Sequence, residues 1–464
     1  MTIPRQFLIQ MARDRELSPE QEEVFLGRFA DGKEYDELAA DLNAKSTGGL
    51  LKRMGQVYKK FQVKGATRGK ENRLRIFLEE KFEEWRQQNH SKLSWAIADP
   101  MNRVTSVPSL LSTDFDNQAR PEWPGGQVNI NSPFYIERPP IELQCFQEIA
   151  YPGALIHIKA PRQMGKTSLT ARILDYAQRK LEFQCAHLSL QMAEQEQFES
   201  LDKFLQWFCV SIGLALDRSP QKFADYQNDL LGSKANCTAY FEKYILNNLS
   251  TPFVLGLDEV DRIFHHKEIA IDFLGLLRTW HEAGKRETIW KNFRLVVAHS
   301  TEVDIHEIQL DINQSPFNVG LPIELPEFTQ AQVTELVRRY DLPWDNPEIQ
   351  QLFALVGGHP YLVRVALYYI VRKDLTLGNI VKNAASDNGI YSSHLRHYLR
   401  ILQQKSEWYL AMKQVVNSES PVSLKPQAAT KLSGIGLVKF DNGEVTPRCE
   451  LYRQYFQIQP DKIE

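Results

Sequence analysis

The stretch that decides the fold spans residues 154–169 and has the sequence Ala154-Leu-Ile-His-Ile-Lys-Ala-Pro-Arg-Gln-Met-Gly-Lys-Thr-Ser-Leu169. A short apolar strand is followed by a loop and then by a helix whose apolar residues share one face. In such a unit the N–H groups of the loop and the N-terminus of the helix point at one anion. Gly-Lys-Thr at this place, between a strand and a helix, is typical of a phosphate-binding loop.

Each residue of the loop has an expected role. Gly165 allows the backbone to approach a phosphate, Lys166 reaches the β- and γ-phosphates, and Thr167 places a hydroxyl on Mg²⁺. Ala160 stands where the G-x-x-x-x-G-K-[ST] pattern has its first glycine, and it fits if its φ stays negative. We therefore expect ATP or ADP to bind, with Mg²⁺, at Pro161, Arg162, Gln163, Met164, Gly165, Lys166, Thr167 and Ser168.

A second apolar strand, Phe253–Leu257, ends in acidic residues about 90 positions after the loop, in the segment Leu-Asp-Glu-Val-Asp-Arg262. In this pairing Asp258 is expected to hold Mg²⁺ largely through water, since Mg²⁺ keeps part of its hydration shell. Glu259 is expected to polarise the attacking water. A third strand, Arg294–Ala298, ends in His299 and Ser300, and either residue fits a γ-phosphate sensor or a purely structural hydrogen bond.

Composition excludes several classes of protein. The 464 residues are 43% hydrophobic and 24% charged, with a net charge of −3, which suits globular domains rather than a disordered chain. No apolar run reaches the length of a transmembrane helix, and the first residues lack the apolar core of a signal peptide. Five widely spaced cysteines give neither a disulfide framework nor a zinc site. We therefore expect a cytoplasmic protein without a membrane partner.

Residues 131–464 resemble the AAA-like ATPases of the STAND group of signal-transduction NTPases, and most of all the largely cyanobacterial AAA-like family. The motifs that carry the resemblance are Phe134-Tyr-Ile-Glu-Arg-Pro, the phosphate loop, the Leu-Asp-Glu-Val-Asp-Arg segment, Ala-His-Ser-Thr-Glu, Asn313-Gln-Ser-Pro-Phe-Asn-Val-Gly and Gly357-Gly-His-Pro-Tyr-Leu-Val-Arg. The resemblance implies that Ile136 and Arg138 line an adenine pocket, that Pro360 packs near the base, and that Arg364 reaches phosphate. Gly-Gly-His-Pro also fits the end of one helix and the start of the next, and Arg364 also fits a solvated position.

The expected fold class is α/β, with a P-loop NTPase core, a parallel sheet, a helical lid and a winged helix. An all-α helix-turn-helix domain precedes them. The expected boundaries are residues 1–88 for the helix-turn-helix, 89–130 for a flexible linker rich in Pro, Gly and Ser, 131–325 for the core, 326–388 for the lid and 389–464 for the winged helix. The winged helix includes a hairpin around Asp441-Asn-Gly443.

Residues 17–65 have the pattern of a helix-turn-helix of the LuxR type. Ser18 and Pro19 start one helix, Asp31-Gly32 forms a turn, and a third helix has an apolar face. Residues 45–75 contain ten Lys or Arg and one acid, Glu71. Docking of the third helix in the major groove would use the residues Lys52, Arg53, Gln56, Lys59 and Lys60. An acidic protein partner or an adaptor role remains the alternative.

Residues 301–320 contain no Lys or Arg, although oligomeric AAA+ ATPases usually carry an arginine finger in this region. Such an arginine is worth about 10³–10⁵ in rate, so we expect slow hydrolysis. The leading hypothesis is a nucleotide switch coupled to double-stranded DNA, to a protein partner or to self-association, in signalling or defence. The alternatives are an AAA+ DNA-loading or transposition-regulator ATPase that assembles on duplex DNA, and a scaffold that binds nucleotide without turnover.

The DNA hypothesis predicts a steep dependence of binding on salt, because each phosphate contact releases counterions and contributes about 0.9 to the slope of log K against log salt. Replacing Lys59 and Lys60 with Ala should lower that slope by about two and weaken all sequences alike. Gln56 is the better candidate for a base edge, because an amide pairs bidentately with adenine. A fragment of residues 1–90 that fails to bind duplex DNA even at low salt would contradict the hypothesis.

Overall fold

The computed structural model describes residues 121–286, 289–303 and 316–460 and, nearer the N-terminus, residues 7–8, 11–12, 15, 17–29, 35, 38, 47–61, 70–71, 74, 77–78 and 81. Contacts divide the chain into two compact units, residues 1–114 and 115–464. Among the predicted features, the turn at Asp31-Gly32, linker residues 89–120 and residues 304–315, with the first part of the Asn313 motif, lie outside the described residues.

The N-terminal unit contains two described helices, α1 (Pro19–Phe29) and α2 (Thr47–Lys60). Helix α1 begins at Pro19, as predicted. The predicted apolar face of the third helix is buried in this unit's core, where the rings of Phe25 and Phe61 stack at 5.3 Å. Leu50, Met54 and Val57 complete that face.

The second unit is built on a five-stranded parallel sheet in the order β2-β3-β4-β1-β5, which confirms the predicted α/β class. The strands are β1 (Leu155–Ala160), β2 (Gln184–Ser189), β3 (Phe253–Asp258), β4 (Phe293–Ser300) and β5 (Leu321–Glu324). Strands β1, β3 and β4 lie where the apolar runs predicted them, shifted by one or two residues. Strand β5 was not predicted, because Pro322 interrupts its short apolar pattern, and a proline is tolerated here at the edge of the sheet.

Helices cover both faces of the sheet, and each face has its own apolar core. Helices α3 (Ile141–Ala150) and α4 (Lys166–Lys180) lie on one face. Helices α5 (Leu201–Ala215), α6 (Ser233–Tyr240) and α7 (Lys267–Gly284) contribute to the core of the other. Shorter 3₁₀ segments are Leu190–Met192, Gln195–Phe198, Pro220–Tyr226, Leu246–Asn248, Val260–His265, Ile289–Asn292 and Pro316–Asn318, and Phe241–Ile245 is π-helical.

The chain after β5 forms most of a third apolar core, to which Phe134 and Ile136 also contribute. Its helices are α8 (Gln330–Arg339), α9 (Asn346–Val356), α10 (Pro360–Val371), α11 (Leu377–Asn383), α12 (Ser392–Gln403), α13 (Ser406–Asn417), α14 (Pro426–Gly434) and α15 (Glu450–Gln457). Between the last two helices, β6 (Val438–Asp441) and β7 (Glu444–Pro447) form the antiparallel hairpin that the sequence predicted. Asn442 and Gly443 both have positive φ at its turn, as such a tight turn requires. Among the described helices, none combines the length and the apolar character that a bilayer crossing requires.

Residues 121–136, which we call the crossing segment, pack against the rest of the second unit. The N–H of Val128 donates to Ser168 Oγ at 2.9 Å, and the ring of Trp123 meets Tyr368 on α10 at 5.1 Å. Arg172 on α4 lies 3.5 Å from the ring centre of Tyr135. The predicted linker therefore ends before residue 121 and not at 130. Its composition of Pro and Gly suggested a tether, but these residues follow the surface of the helices.

Gly358 has a steric reason to be glycine, because a Cβ there would lie 1.8 Å from the carbonyl oxygen of Phe328. The N–H of Phe328 also donates to the Gly358 carbonyl at 2.8 Å, which holds the two backbones together. We predict that Gly358→Ala lowers the free energy of unfolding by about 2–3 kcal/mol through overpacking. Gly275→Ala, within α7 and with open space at its Cβ, should instead be neutral or stabilise by up to roughly 1 kcal/mol. Denaturant unfolding of both variants measures the difference, and equal stabilities would contradict the steric argument.

Candidate functional site

A cavity of about 640 Å³ lies where strands β1, β3 and β4 end, which is where open parallel sheets bind ligands. It brings together most of the residues that the sequence singled out. The predicted residues that line it are Ile136, Arg138, Arg162, Gln163, Met164, Gly165, Lys166, Thr167, Ser168, Asp258, Glu259, Ser300, Pro360 and Arg364. Two predicted residues, Pro161 and His299, do not line it.

The loop between β1 and α4 has the backbone of a phosphate cradle. Gln163 and Gly165 have φ values of 62° and 98°, and Gly165 is the residue that caps α4. Lys166 folds back over the loop, where its Nζ donates to the carbonyl oxygens of Ala160 at 3.0 Å and Pro161 at 2.8 Å. Burial lowers the pKa of Lys166, while the carboxylates of Asp261 and Asp258 oppose that shift. The loop thus presents backbone donors and one buried ammonium group to the cavity.

Arg138 contacts the phosphate loop and supports it. It is 3% exposed, and its Nη1 donates to the carbonyl oxygen of Met164 at 2.8 Å. A Cβ at Gly165 would approach Arg138 Nη2 to 3.2 Å, so the guanidinium lies directly against the glycine. The resemblance assigned Arg138 to an adenine pocket, whereas its contacts in the structure hold the phosphate loop.

The acidic pair at the end of β3 is held by hydrogen bonds. Asp258 is 2% exposed and accepts the N–H of Glu259 at 2.9 Å. Glu259 has a left-handed backbone, with φ of 55°, and accepts a short hydrogen bond from the Ser189 hydroxyl. Ser189 is the last residue of β2 and pairs in register with Asp258. Sequence analysis missed Ser189, although a polar residue at the end of an apolar strand was the available signal.

Asp261 is the third carboxylate of this segment, and the sequence analysis did not assign it. It lines the cavity, accepts the N–H of Ser300 at 2.7 Å and lies near Lys166. Burial raises its pKa, and the hydrogen bond from Ser300 opposes that rise. Asp261 therefore connects the acidic turn after β3 to the end of β4, and its place in the Leu-Asp-Glu-Val-Asp-Arg segment was the signal for it.

His299 lies on the opposite face of β4 from Ser300, because successive side chains of a strand alternate. Its ring packs 4.6 Å from that of Phe317, and burial lowers its pKa to about 3. Of the two sensor candidates, only Ser300 borders the cavity. Pro161 borders a different cavity of about 560 Å³, together with Thr301 and Arg448.

The other end of the main cavity is mostly apolar and is bordered by the crossing segment and by α10. Phe134, Ile136 and Phe328 line it beside Pro360. Arg364 is 5% exposed, and its Nη2 lies 3.9 Å from the carboxylate of Glu122. Its Nε and Nη2 have no hydrogen-bond partner among the described residues. An apolar pocket continuous with a phosphate cradle has the shape and chemistry of a nucleotide site.

The residues present fit a magnesium ion that is bound together with a nucleotide. Thr167 and Asp258 both line the cavity and supply a hydroxyl and a carboxylate, and Mg²⁺ prefers oxygen ligands while it retains waters and contacts phosphates. Such a sparse protein ligand set suits a nucleotide-bound ion better than a separate metal centre.

The chain beyond α11 contacts both sides of the phosphate site. Gln163 in the loop lies 2.7 Å from Nδ1 of His394 on α12, whose Nε2 lies 2.8 Å from the Tyr452 hydroxyl. Because an amide oxygen only accepts, Nδ1 donates and Nε2 accepts. At the end of β4, the Thr301 hydroxyl donates to the Gly434 carbonyl at 2.5 Å. The sequence did not indicate these contacts, since they join residues far apart in the chain.

The proposed DNA-binding residues lie in the other unit, on α2. Lys52, Gln56, Lys59 and Lys60 are exposed. Arg53 forms an ion pair with Glu20 at 3.0 Å, and Gln56 accepts a hydrogen bond from Gln21 at 2.8 Å. Two of the five candidates, Arg53 and Gln56, therefore already contact α1. Their binding to DNA stays a prediction.

Comparison with known proteins agrees with this geometry. A family model described as "AAA-like domain" matches residues 123–458. The Walker-type ATPase PABY2304 of Pyrococcus abyssi superposes with a TM-score of 0.51 at 14% identity, over 70% of this chain and 96% of that one. The ORC2 protein of Aeropyrum pernix gives 0.41 at 14% identity, over 68% and 91% of the two chains. The ORC1 protein of Aeropyrum pernix, solved with DNA, gives 0.36 at 12% identity, over 71% and 94%. Identities this low concern the fold alone, and no curated protein matches the sequence.

We predict that Glu259→Gln lowers the ATP turnover number by about 10²–10⁴-fold, the usual contribution of a general base. Affinity for ATP should stay within about twofold, because the amide keeps the shape of the side chain. Phosphate release and equilibrium binding of a labelled ATP measure the two quantities. Glu268→Gln, an exposed acid at the start of α7, is the matched control. Turnover in Glu259→Gln equal to that of the unchanged protein would exclude this role.

Proposed function

Because the chain belongs to the AAA-like domain family, we propose that it is a slowly hydrolysing ATP switch. In this proposal ATP binds with Mg²⁺ between the sheet, helices α8–α11 and the C-terminal residues 389–460. Bound nucleotide holds these parts together, and its loss releases them. One of these two forms, the closed or the released one, then allows binding. The partner is duplex DNA, bound by the N-terminal unit, or a protein bound by the chain.

The observation that carries the proposal is the hydrogen bond between Gln163 and His394. It joins the phosphate loop directly to α12, so any change in the loop on nucleotide binding reaches the C-terminal residues through one side chain. Lys431 Nζ adds a second link, since it donates to the carbonyl oxygen of Glu302 at 2.6 Å just after β4. Gln163 and Glu302 both line the cavity, which supports a C-terminal region that responds to the phosphate.

Burial makes His394 suited to a link of this kind. It lies in a buried cluster with the rings of His359, Tyr398 and Tyr452. Burial lowers its pKa well below the ordinary value, so the ring stays neutral and keeps the tautomer that donates from Nδ1. Because the neutral ring donates from Nδ1 and accepts at Nε2, it stabilises one arrangement of the loop.

Two of the four arginines that line the cavity are engaged elsewhere, which supports slow turnover. Arg138 is engaged with the Met164 carbonyl, and Arg262 donates to the Ala193 carbonyl at 3.0 Å. Arg364 lies nearest Glu122 of the crossing segment. An arginine placed at the γ-phosphate is worth about 10³–10⁵ in rate, so hydrolysis in the isolated chain should be slow. Within this site, Glu259 would orient the attacking water, and bound Mg²⁺ would neutralise charge on the phosphates.

Two further features support an output through the N-terminal unit. Helix α2 exposes Lys52, Lys59 and Lys60 on one basic surface, which fits a polyanion. The crossing segment precedes the phosphate loop in the chain and contacts both α4 and α10. Closure of the nucleotide site would therefore act on the crossing segment.

The test is hydrogen exchange of the full chain with ATP, with ADP and without nucleotide. We predict that nucleotide slows exchange in α12 and α14 by at least about tenfold, because it fixes the loop that Gln163 joins to His394. Gln163→Ala, a change at an exposed loop residue, should bind ATP yet lose most of the protection in α12. Gln147→Ala, exposed on α3, should keep it. Exchange in α12 that is the same in all three nucleotide states would contradict the switch.

A further inference from the structure

Two buried cysteines that are distant in the sequence meet between α5 and α6. The sulfur atoms of Cys209 and Cys237 lie 3.2 Å apart, and both side chains are fully buried. The structure has all five cysteines as free thiols. A disulfide needs an S–S distance of about 2.05 Å. The two sulfur atoms would therefore have to approach each other by roughly one ångström to form the bond.

We propose that Cys209 and Cys237 form a latent disulfide site, in which a peroxide-class oxidant cross-links α5 to α6. The thiolate of one cysteine attacks a peroxide oxygen, which gives a sulfenic acid and one water. The second thiol then attacks the sulfenic sulfur, and the hydroxide that leaves takes up its proton as a second water. Two thiols and one hydrogen peroxide thus give one disulfide and two waters, with two electrons passing from sulfur to oxygen.

The two helices differ in how firmly they are held, which indicates how an oxidant reaches a buried pair. Helix α5 has 15 residues and contributes four buried apolar side chains beside Cys209, including Phe204 and Phe208. Helix α6 has only eight residues and follows Gly232, whose φ is 77°. It continues directly into the π-helical turn Phe241–Ile245. Short and irregular helical segments open more readily than regular ones packed on a sheet, so Cys237 is the side chain that a local opening exposes.

The neighbouring loop supports the same route. Leu230 and Leu231, just before α6, are 93% and 61% exposed, so these two side chains contribute little packing at the N-terminal approach to this helix. Burial raises the pKa of Cys209 well above its ordinary value, and the thiolate is the reactive form. Oxidation therefore waits for the opening of α6 and should be slow in the closed protein.

Once formed, the cross-link would tie α6 to a helix that supports the edge of the sheet. Phe204 and Phe208 share an apolar core with Leu188 of β2, the strand that ends at Ser189. Closing a loop of this size restricts the unfolded chain, so the oxidised protein should be the more stable form. This inference does not depend on the proposed function, because it concerns only the two thiols and their helices.

In the experiment, the full-length protein is treated with hydrogen peroxide and then unfolded in the presence of a reagent that blocks free thiols. The peptides are then mapped by mass spectrometry. We expect two of the five thiols to be lost, a peptide that links Cys209 to Cys237, and recovery of both thiols with a reductant. The melting temperature of the oxidised protein should rise by on the order of 5 °C. Cys185→Ser is the matched control, because Cys185 donates instead to the Leu174 carbonyl at 3.5 Å, and this variant should form the same link.

Cys237→Ser should lose the linked peptide, and Cys237→Ala is made in parallel in case a buried hydroxyl destabilises the fold. Both should then leave Cys209 unlinked after the same treatment. The proposal is overturned if the unchanged protein forms no 209–237 link before it unfolds. It is also overturned if the thiols are lost only as sulfinic acids or as links among other cysteine pairs.

Discussion

The phosphate loop is held from three directions, and the rest of the site depends on that restraint. Arg138 donates to Met164 from below, Lys166 folds over the carbonyls of residues 160 and 161, and Gln163 is hydrogen-bonded to His394. Gln163 has a left-handed backbone, which is costly for a residue other than glycine and needs such support. The sheet provides the base of this arrangement, since β1 lies between β4 and β5 and directs the loop into the cavity.

The same restraint explains why so many separate parts of the chain meet at one cavity. The acids at the end of β3, Ser300 at the end of β4, and the crossing segment all border the loop. The crossing segment is held at Trp123 by Tyr368 on α10 and at Val128 by Ser168 on α4. Each of these groups therefore has its position set relative to the loop, and a change at the phosphates would reach helices on three sides of the cavity.

The fold and the centre of the site were predictable because their signals are local. A strand, a Gly-Lys-Thr loop and a helix are adjacent in sequence, and Asp258 and Glu259 follow directly after a buried strand. Strand β5 was missed because Pro322 breaks its pattern. The end of the linker was misplaced because Pro and Gly residues serve a packed segment as readily as a flexible one.

The parts that were not predictable depend on contacts between distant residues. Nothing in the sequence connects Gln163 with His394, or Ser189 with Glu259, until the strands and helices are in place. Strand alternation decides that Ser300 and not His299 faces the cavity, and the register of β4 fixes that choice. Cys209 and Cys237 are also brought together only by the packing of α5 against α6.

The central claim is that the loop ending in Gly165 and Lys166 binds ATP, and the most direct measurement is the affinity of Lys166→Ala for ATP. Equilibrium binding of a labelled ATP in the presence of Mg²⁺ should show at least a hundredfold loss, because this change removes the buried ammonium group of the cradle. Lys180→Ala, an exposed lysine at the far end of the same helix, should bind as the unchanged protein does. Wild-type affinity in Lys166→Ala would contradict the assignment of the loop and the switch proposed from it.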